Sequence, residues 1–450
     1  MPVNDVTRYW APYAWIDPTV EEDVLIEVGA DGRIAAVTPD SGPAPAGATV
    51  LTGFALPGLA NAHSHAFHRA LRSSVQVGSG TFWTWREVMY RTSAALDPEL
   101  YLELATAAYA EMALAGITAV GEFHYLHHAP GGVRYEDPNA MGEALIEAAR
   151  RAGIRITLLD TCYLSAGFGA EPDHHQLRFS DGTADAWAER ASGLKEHPHA
   201  RIGAAVHSVR AVPSDQLATV ARWAEERLAP LHVHLSEQTA ENDACQAAHG
   251  RTPTRLLADH GVLGPRTSAV HATHLTEEDV RLLSGSSTVV CMCPTTERDL
   301  ADGIGPAREL TKAGSPMSLG SDSHAVVDLF EEARAVELDE RLRTRQRGHW
   351  TAAALLRAAT EDGHASLGWP EAGRLAAGAL ADFCTVDLET VRTAGPPARL
   401  AAETAVFSAT AADVRDVVVG GRIVVRDGEH QLVPGVAGAL RRAIEKVGDR

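Results

Sequence analysis

Long apolar runs are missing from the sequence. No stretch of eighteen consecutive apolar residues occurs, so no segment is expected to span a membrane. The first residues, MPVNDVTRYWAPY, lack the basic segment followed by an apolar stretch that a secretory signal needs. Cysteine is scarce as well, and its five residues are scattered and odd in number, unlike a disulfide framework. Together these absences predict a cytoplasmic protein.

Positive charge is also in short supply. The 40 lysine and arginine residues face 59 aspartate and glutamate residues, which gives a formal net charge of −19. This balance argues against nucleic acid and against an anionic membrane as partners, because both carry dense negative charge. An acidic chain that binds an anionic small molecule therefore has to place its arginines at the binding site.

The middle of the chain alternates short apolar strands with helical segments. Eight such strands are predicted between ALPGLANAHSH and PMSLGSDSH. Short apolar strands separated by helices are typical of a parallel sheet that is covered on its outer face. Eight units in roughly 300 residues predict an α/β fold, a (β/α)8 TIM-type barrel. A doubly wound sheet is the alternative, but no glycine-rich phosphate loop follows the first strand.

The two ends of the chain are rich in strands instead. VLIEVG and RIAAVT flank the turn sequence ADG, and near the C-terminus DVVVGGRIVVRDG surrounds a glycine pair. Both patterns are typical of β-hairpins. The sequence therefore predicts three units: a discontinuous small β-sandwich domain built from residues 1–56 and 374–435, the barrel at residues 57–373, and a C-terminal helix at residues 436–450.

Histidines and carboxylates are concentrated at the predicted carboxyl ends of the barrel strands. In a (β/α)8 barrel these ends meet at one rim, where active sites lie. Gathering so many titratable groups has a desolvation cost that is hard to explain without a catalytic role. The groups predicted at this rim are His63, His65, His124, Tyr125, His207, Arg210, His232, His234, Glu237, His271, His274, Asp322 and His324.

His63 and His65 indicate a metal site. They are one residue apart, and on a strand such side chains leave the same face. A two-metal centre bridged by a carbamylated lysine is not expected, because none of the three lysines (Lys195, Lys312, Lys446) stands at a strand end. One metal held by three histidines and one aspartate is the simpler arrangement. Nitrogen and carboxylate ligands with an open position suit Zn²⁺, with Fe²⁺ or Mn²⁺ as alternatives.

Four motifs in chain order, HSH, HVHLSE, VHATH and GSDSH, resemble the amidohydrolase superfamily and in particular its single-metal deaminases. The resemblance covers nearly the whole chain. FWTWREVMYR, GEFHYLHH, HSVRAV and CPTTERDLADG are similar to the formimidoylglutamate deiminase family within that superfamily. This resemblance implies one divalent metal per chain and hydrolytic deamination of N-formimino-L-glutamate to N-formyl-L-glutamate and ammonia, a step of histidine breakdown.

Transferred position by position, the resemblance also implies roles for individual residues. The implied metal ligands are His63, His65, His234 and Asp322. A water activated by the metal would attack the formimino carbon, with Asp322 as ligand and base and His271 beside the tetrahedral centre. Glu237 would shuttle protons to the leaving nitrogen. His232 shares a face with His234 but is expected to have a structural or supporting role.

The implied substrate carries two carboxylates, which guanidinium groups bind well. The residues expected to contact it are His68, Arg86, Tyr125, His207 and Arg210. His68 stands where members of the family carry glutamine, and a neutral imidazole can also donate and accept at once. A structural role for His68 on the first helical turn is equally open.

Two other functions are weighed against this reading. One is another deaminase of the same branch, acting on a purine, pyrimidine or triazine ring, which would not need two arginines at the pocket. The remote alternative is a catalytically inactive binding scaffold, which would take up no metal. The expected partners are a small-molecule dicarboxylate substrate and, from the resemblance, a second copy of the chain in a homodimer.

Overall fold

The computed structural model describes residues 6–77 and 82–448. The N-terminal end forms a β-structure around a long antiparallel hairpin of the first two strands. The turn sequence ADG joins the second strand to the third, as predicted, and two further strands lie parallel to the first. These first strands are β1 (Thr7–Ile16), β2 (Thr19–Val28), β3 (Ile34–Thr38), β4 (Thr49–Val50) and β5 (Phe54–Pro57).

Eight parallel strands then form the predicted barrel, each paired with the next one along the chain. They are β6 (Leu59–Ser64), β7 (Ile117–His124), β8 (Arg155–Cys162), β9 (Ala200–Val206), β10 (Leu231–Leu235), β11 (Thr267–His271), β12 (Val289–Met292) and β13 (Met317–Leu319). The ring is nearly closed by a single bridge between Ser64 and Asp322. At this seam the backbone N–H of Asp322 donates to His63 O over 3.0 Å.

The C-terminal part of the chain returns to the first sheet. Strand β14 (Phe383–Val386) pairs antiparallel with β5, and three more strands extend the sheet: β15 (Val414–Val419), β16 (Arg422–Arg426) and β17 (Glu429–His430). The small β-domain is therefore built from both chain ends, as predicted, as one sheet of nine strands. The exact domain boundaries given above stay a prediction.

Helices cover the outside of the barrel. They are α1 (Phe82–Ala95), α2 (Pro98–Leu114), α3 (Ala140–Ala152), α4 (Ala184–Ala191), α5 (Ser214–Glu226), α6 (Thr239–His249), α7 (Pro253–Asp259), α8 (Glu277–Gly285), α9 (Pro294–Asp299), α10 (Ala307–Ala313), α11 (Leu329–Thr344), α12 (Ala352–Ala359), α13 (Glu361–Ser366), α14 (Ala401–Phe407) and α15 (Val436–Gly448). Side-chain caps set several starts: Asp97 accepts from Leu100 N, and Thr276 forms a capping box with Asp279. In the described part of the chain, no helix is both long and apolar enough to cross a membrane.

Two glycines allow the close approaches on which the barrel depends. A Cβ at Gly58, between β5 and β6, would lie 2.2 Å from the Thr118 hydroxyl on the neighbouring strand. A Cβ at Gly320 would lie 2.7 Å from His63 Cβ. Any larger residue at Gly320 would push apart the seam between the first and last barrel strands, and the seam positions the site described next.

Candidate metal centre and substrate pocket

Four of the predicted rim residues meet at the carboxyl end of the barrel. His63 and His65 come from β6, His234 from β10 and Asp322 from the segment after β13, and one potential ligand atom of each lies within 4.8 Å of the others. His63 Nε2 is 3.1 Å from His234 Nε2, and both His63 Nε2 and His65 Nε2 are 3.4 Å from Asp322 Oδ1. Ligands about 2.1 Å from one tetrahedral ion lie about 3.4 Å from each other, so the spacing fits a divalent metal.

The outer nitrogens of two of these rings face backbone carbonyls. His65 Nδ1 is 2.9 Å from Phe123 O, and His234 Nδ1 is 3.0 Å from His207 O. A carbonyl only accepts, so each Nδ1 has to carry the hydrogen and each Nε2 presents a bare lone pair to the centre. Burial lowers the pKa of His65 to about 3 and lowers the pKa values of His63 and His234 too. All three rings are therefore neutral, as metal ligation requires.

The backbone at the strand ends aims these groups inward. Ser236, His271 and Asp322 adopt left-handed conformations with φ values of 50°, 68° and 41°. For residues other than glycine such conformations cost about 1–3 kcal/mol each and are concentrated at functional sites. Burial would raise the pKa of Asp322, but the imidazoles of His63 and His271 outweigh it and hold the carboxyl group anionic.

Glu237 and His271 form an acid–imidazole pair beside Asp322. His271 Nε2 lies 3.9 Å from Glu237 Oε1 and 3.8 Å from Asp322 Oδ2. On the other edge of the ring, His271 Nδ1 lies 3.6 Å from Glu297 Oε1. Burial alone would lower the pKa of His271, but these three carboxyl groups raise it well above its ordinary value. Burial raises the pKa of Glu237 against the pull of His271, and the two groups lie close enough to share a proton through one bridging atom.

The predicted substrate-binding residues line one pocket above this centre, together with Glu237, His271 and Asp322. The predicted members are His68, Arg86, Tyr125, His207 and Arg210. Trp85 also lines the pocket, together with residues that the sequence motifs did not indicate, namely Met89, Tyr90, Tyr163, Phe179, Leu300 and Ser323. The aromatic rings supply an apolar wall, and the two arginines supply the positive charge that an anionic ligand needs.

The two arginines are held by different partners. Arg210 donates from Nε to Glu241 Oε2 over 2.6 Å, and the other oxygen of Glu241 accepts from Ser236 N over 2.9 Å. Arg86 lies on α1 and donates from Nε to the hydroxyl of Tyr90, four residues later on the same helix. Each guanidinium group is thus oriented through its inner nitrogen at the pocket wall.

His68 is buried in the short helical turn Ala66–Leu71. Its Nε2 lies 3.2 Å from the Tyr125 hydroxyl, and its ring is 4.5 Å from the ring of His65 and 5.1 Å from that of Trp85. His68 therefore connects His65 on β6 to two pocket-lining aromatic residues, Tyr125 and Trp85. This position is compatible with both roles that the sequence left open.

Other predicted rim residues do not reach the pocket. His232 is buried, with Nε2 3.2 Å from Ser366 O, and His324 Nε2 lies 2.8 Å from the Ser64 hydroxyl behind the seam. His274 is absent from the pocket lining as well. The expectation that these residues and His124 face one open rim with the others is wrong. His124 points away because alternate residues of a strand face opposite sides, whereas His232 shares the face of His234 but stands two residues earlier on β10 and contacts Ser366 O.

His124 belongs to a separate buried group with His127 and Asp160, whose potential ligand atoms also lie within 4.8 Å of one another. Arg190 forms a bidentate ion pair with the Asp160 carboxylate, with Nη1 2.9 Å from Oδ2 and Nη2 2.8 Å from Oδ1. Trp187 Nε1 donates to the same carboxylate over 2.8 Å. A cation already balances the negative charge, so this group is an ion-pair network and not a second metal centre.

Cys293 lies near the proposed centre, within 4.8 Å of His271 and Asp322. Burial raises the pKa of its thiol well above the ordinary value. A protonated thiol is a poor metal ligand, since the thiolate is the binding form. Cys291 and Cys293 are both free and buried.

The residues that hold the site in place were not predicted from the sequence. Glu297 faces His271, Glu241 holds Arg210, and Gln176 touches two pocket phenols. Glu297 lies in CPTTERDLADG, one of the motifs that carry the family resemblance, so the sequence did contain a signal for that residue. Glu241 and Gln176 lie in ordinary helical or loop sequence, and only their contacts in the fold reveal them.

An eight-stranded barrel with a His/Asp group beside an acid–imidazole pair is the architecture of a metal-dependent hydrolase. A model of the amidohydrolase family matches residues 54–424, and this chain belongs to that family. The chain is 39% identical over 422 residues to formimidoylglutamate deiminase from Pseudomonas aeruginosa, covering 91% of this chain and 92% of that protein. The predicted resemblance is confirmed.

Two further relatives are informative. An 8-oxoguanine deaminase from Pseudomonas aeruginosa is 31% identical over 382 residues, which is 83% of this chain and 82% of that protein. The crystal structure of an amidohydrolase from Brucella melitensis has a TM-score of 0.90 and 32% identity, covering 98% of this chain and 99% of that one. Family and fold therefore agree, and the chain is a hydrolase that acts on C–N bonds.

Proposed function

We propose that this protein hydrolyses N-formimino-L-glutamate to N-formyl-L-glutamate and ammonia. The observation that carries the proposal is the joining, in one pocket, of the His/Asp group, the Glu237–His271 pair and two arginines. A linear substrate with two carboxylates makes use of all three. The 39% identity to a formimidoylglutamate deiminase supports the same conclusion.

One divalent metal per chain would be held by His63, His65, His234 and Asp322, whose neutral imidazoles and carboxylate fit it by charge and spacing. Three nitrogens and one oxygen favour Zn²⁺, with Fe²⁺ or Mn²⁺ as alternatives. When bound, such an ion supplies Lewis acidity and makes water nucleophilic near neutral pH.

The surrounding residues perform the proton transfers. The Asp322 carboxylate accepts a proton from the attacking water, and His271 donates a hydrogen bond to the oxygen that the water adds to the formimino carbon. Glu237 carries a proton to the departing nitrogen, so ammonia leaves and the formyl C=O forms. The 3.8 Å and 3.9 Å separations around His271 Nε2 support this relay, because one bridging atom of substrate or water spans them.

The substrate's carboxylates bind at the arginine side of the pocket. Arg86 and Arg210 form charge-assisted hydrogen bonds to the two carboxylates, while Tyr125, His207 and His68 contact the chain between them and the formimino group. The rings of His68 and Tyr125 lie 4.5 Å and 5.4 Å from that of His65, which supports their contact with the part of the substrate next to the His/Asp group.

The wider setting belongs to the same proposal. Formation of N-formylglutamate places the enzyme in histidine breakdown, and the five free, buried cysteines support a cytoplasmic location. The small-molecule dicarboxylate is the proposed partner, and a homodimer is proposed from the family resemblance. Neither nucleic acid nor a membrane is a proposed partner, given the net charge of −19.

The second candidate is deamination of a ring substrate, which the 31% identity to an 8-oxoguanine deaminase favours. The test is ammonia release by purified, metal-loaded protein offered N-formimino-L-glutamate, guanine or cytosine. We expect kcat/KM to be at least about 100-fold higher for the first substrate, as two charge-assisted contacts at 1.5 kcal/mol each would give. Glu237→Gln is the inactive control. Faster turnover of a ring substrate would replace the proposal with its alternative, and folded protein that binds no metal would support the inactive scaffold.

A further inference from the structure

Two phenols of the pocket share one buried amide. Tyr90 comes from α1 and Tyr163 follows β8, and both side chains line the pocket. Gln176 Nε2 lies 3.1 Å from the Tyr90 hydroxyl and 2.8 Å from the Tyr163 hydroxyl. Gln176 is fully buried, so this amide bridges the two tyrosines from behind, out of contact with solvent.

The orientation of the Gln176 amide is set by a third contact. Its Oε1 accepts from the backbone N–H of Asp173 over 2.9 Å. Because a backbone N–H can only donate, the oxygen has to face Asp173 and the NH₂ group has to face the phenols. Each of the two N–H bonds of Gln176 therefore goes to one tyrosine, and both phenol oxygens are acceptors in these contacts.

An accepting phenol still has its own hydrogen to donate. The Tyr90 oxygen accepts from Arg86 Nε as well as from Gln176, so both of its lone pairs are used. Within residues 6–77 and 82–448, the hydroxyl hydrogens of Tyr90 and Tyr163 have no acceptor on another residue. Burial raises the pKa of Tyr90 above its ordinary value, which keeps this phenol protonated. Both O–H groups are thus available to a pocket ligand.

The segment that carries Gln176 is joined to α1. Arg178, two residues later, donates to the carbonyl oxygens of Ser93 and Leu96 at the end of α1, the latter over 3.0 Å. The Ser93 carbonyl also accepts from Leu96 N over 3.1 Å, and the buried guanidinium group adds a second donor at this helix end. The connection keeps Gln176 in register with Tyr90 and Arg86.

We propose that Tyr90 and Tyr163 donate hydrogen bonds to one carboxylate of the substrate, and that Gln176 is the positioning residue that turns both hydroxyl hydrogens into the pocket. This inference deepens the proposed function, on which it rests for the identity of the substrate. With Arg86 at the same wall, the three groups form a subsite for a carboxylate. The ring centroids of Tyr163 and His207 are 4.5 Å apart, and those of His207 and His234 are 5.1 Å apart. The ring of His207 therefore separates the subsite from the His/Asp group.

The experiment compares Tyr90→Phe, Tyr163→Phe, the double variant and Gln176→Glu with wild type. A glutamate at position 176 can accept from both phenols and still accept from Asp173 N, so it draws the hydroxyl hydrogens away from the pocket without removing the phenols. Tyr13→Phe, in the small sheet, is the matched control. Thermal midpoints of all variants establish that each is folded.

Activity is measured on N-formimino-L-glutamate and on two analogues with a single carboxylate, N-formimino-4-aminobutyrate and N-formimino-2-aminobutyrate. Charge-assisted hydrogen bonds of about 1.5 kcal/mol each predict a loss of roughly 10-fold per phenol in kcat/KM for the dicarboxylate, mainly through KM. For the analogue that lacks the contacted carboxylate we expect less than about a twofold change. Gln176→Glu should lower kcat/KM for the dicarboxylate about as much as the double variant does.

A second readout separates this inference from the proposed function. Glutarate binding to the metal-loaded protein is measured by calorimetry, and the double variant should bind it at least about 10-fold more weakly than wild type. If wild type releases no ammonia from N-formimino-L-glutamate, the proposed function fails, and the glutarate affinities still decide the role of the tyrosines. Equal losses on all three substrates, or unchanged glutarate affinity, would overturn the inference. Wild-type activity in Gln176→Glu would overturn the role of Gln176.

Discussion

Arg210 and Glu241 form an ion pair at the edge of the pocket, with Nε and Oε2 2.6 Å apart. Glu241 is nearly fully buried and also accepts from Ser236 N. Its position is therefore fixed, and it orients Arg210. The pair uses the inner nitrogen of the guanidinium group and directs its fork-shaped outer end towards the pocket. The orientation of Arg210 is thus set from the side opposite the substrate.

We expect Glu241→Gln to raise KM for N-formimino-L-glutamate by about 10-fold with little change in kcat, because the guanidinium group loses its orienting charge while the acceptor oxygen is kept. Steady-state kinetics measures this split. Glu225→Gln, on the surface of α5, is the control, and an equal effect there would show that general electrostatics is responsible.

Arg86→Met and Arg210→Met test the dicarboxylate itself. Each removes a charge-assisted contact worth about 1.5–3 kcal/mol, so kcat/KM for N-formimino-L-glutamate should fall by at least about 10-fold in either variant. Arg91→Met, one turn beyond Arg86 on α1, should leave activity near wild type. Near-normal turnover in both pocket variants would contradict a dicarboxylate substrate.

Removal of the metal provides another prediction. Prolonged dialysis against a strong chelator should abolish ammonia release, and Zn²⁺ should restore it. His63→Ala and Asp322→Asn should each reduce the metal content measured by mass spectrometry to well below one per chain, since four-coordinate sites tolerate the loss of a ligand poorly. His232→Gln, on the same strand as His234 but hydrogen-bonded to Ser366 O, should keep its metal. Full activity after chelation would exclude a catalytic metal.

His68→Gln introduces the residue that the family resemblance leads us to expect at this position. Glutamine can replace the contact of His68 Nε2 with the Tyr125 hydroxyl, so we expect kcat/KM to change by less than about threefold. His68→Leu keeps the volume but removes both polar atoms, and should lower kcat/KM by about 10-fold if His68 binds substrate. If the leucine variant lowers the thermal midpoint while leaving kcat/KM intact, the role of His68 is structural.

A pH dependence of stability follows from His127. Burial, followed by the charge of Arg190, lowers the pKa of His127 to about 4 from 6.5. Between these two values the unfolded chain binds more protons than the folded one, so the free energy of unfolding falls as the pH falls. From pH 7 to pH 5 this one group should remove about 2 kcal/mol.

His127→Gln removes the titration and keeps a donor for Thr161 O, which lies 2.8 Å from His127 Nε2. Urea unfolding of the metal-free protein at each pH should show that the difference between wild type and variant shrinks by this amount on acidification. His197→Gln, at an exposed position, is the control. A constant difference across the pH range would refute the lowered pKa.

Much of the fold follows from local sequence pattern. The eight apolar strands and their helices predicted the barrel, and the HSH, HVHLSE, VHATH and GSDSH motifs predicted the residues that the structure gathers, because the carboxyl ends of parallel strands converge. His124 shows the limit of this reasoning: it sits at a strand end like His63, but the alternation of the strand turns it towards the helices and Phe123 towards the centre.

The sequence by itself determined the barrel, the β-domain made from both chain ends and the set of residues able to bind a metal, since these depend on periodicity and on the order of motifs. Only the tertiary structure decided which other side chains orient the residues of the site. Glu241 against Arg210, Glu297 against His271 and Gln176 between two tyrosines are contacts between residues 13 to 86 positions apart. Such contacts leave no periodic trace, because each needs only one polar side chain at a place where the folded chain happens to return.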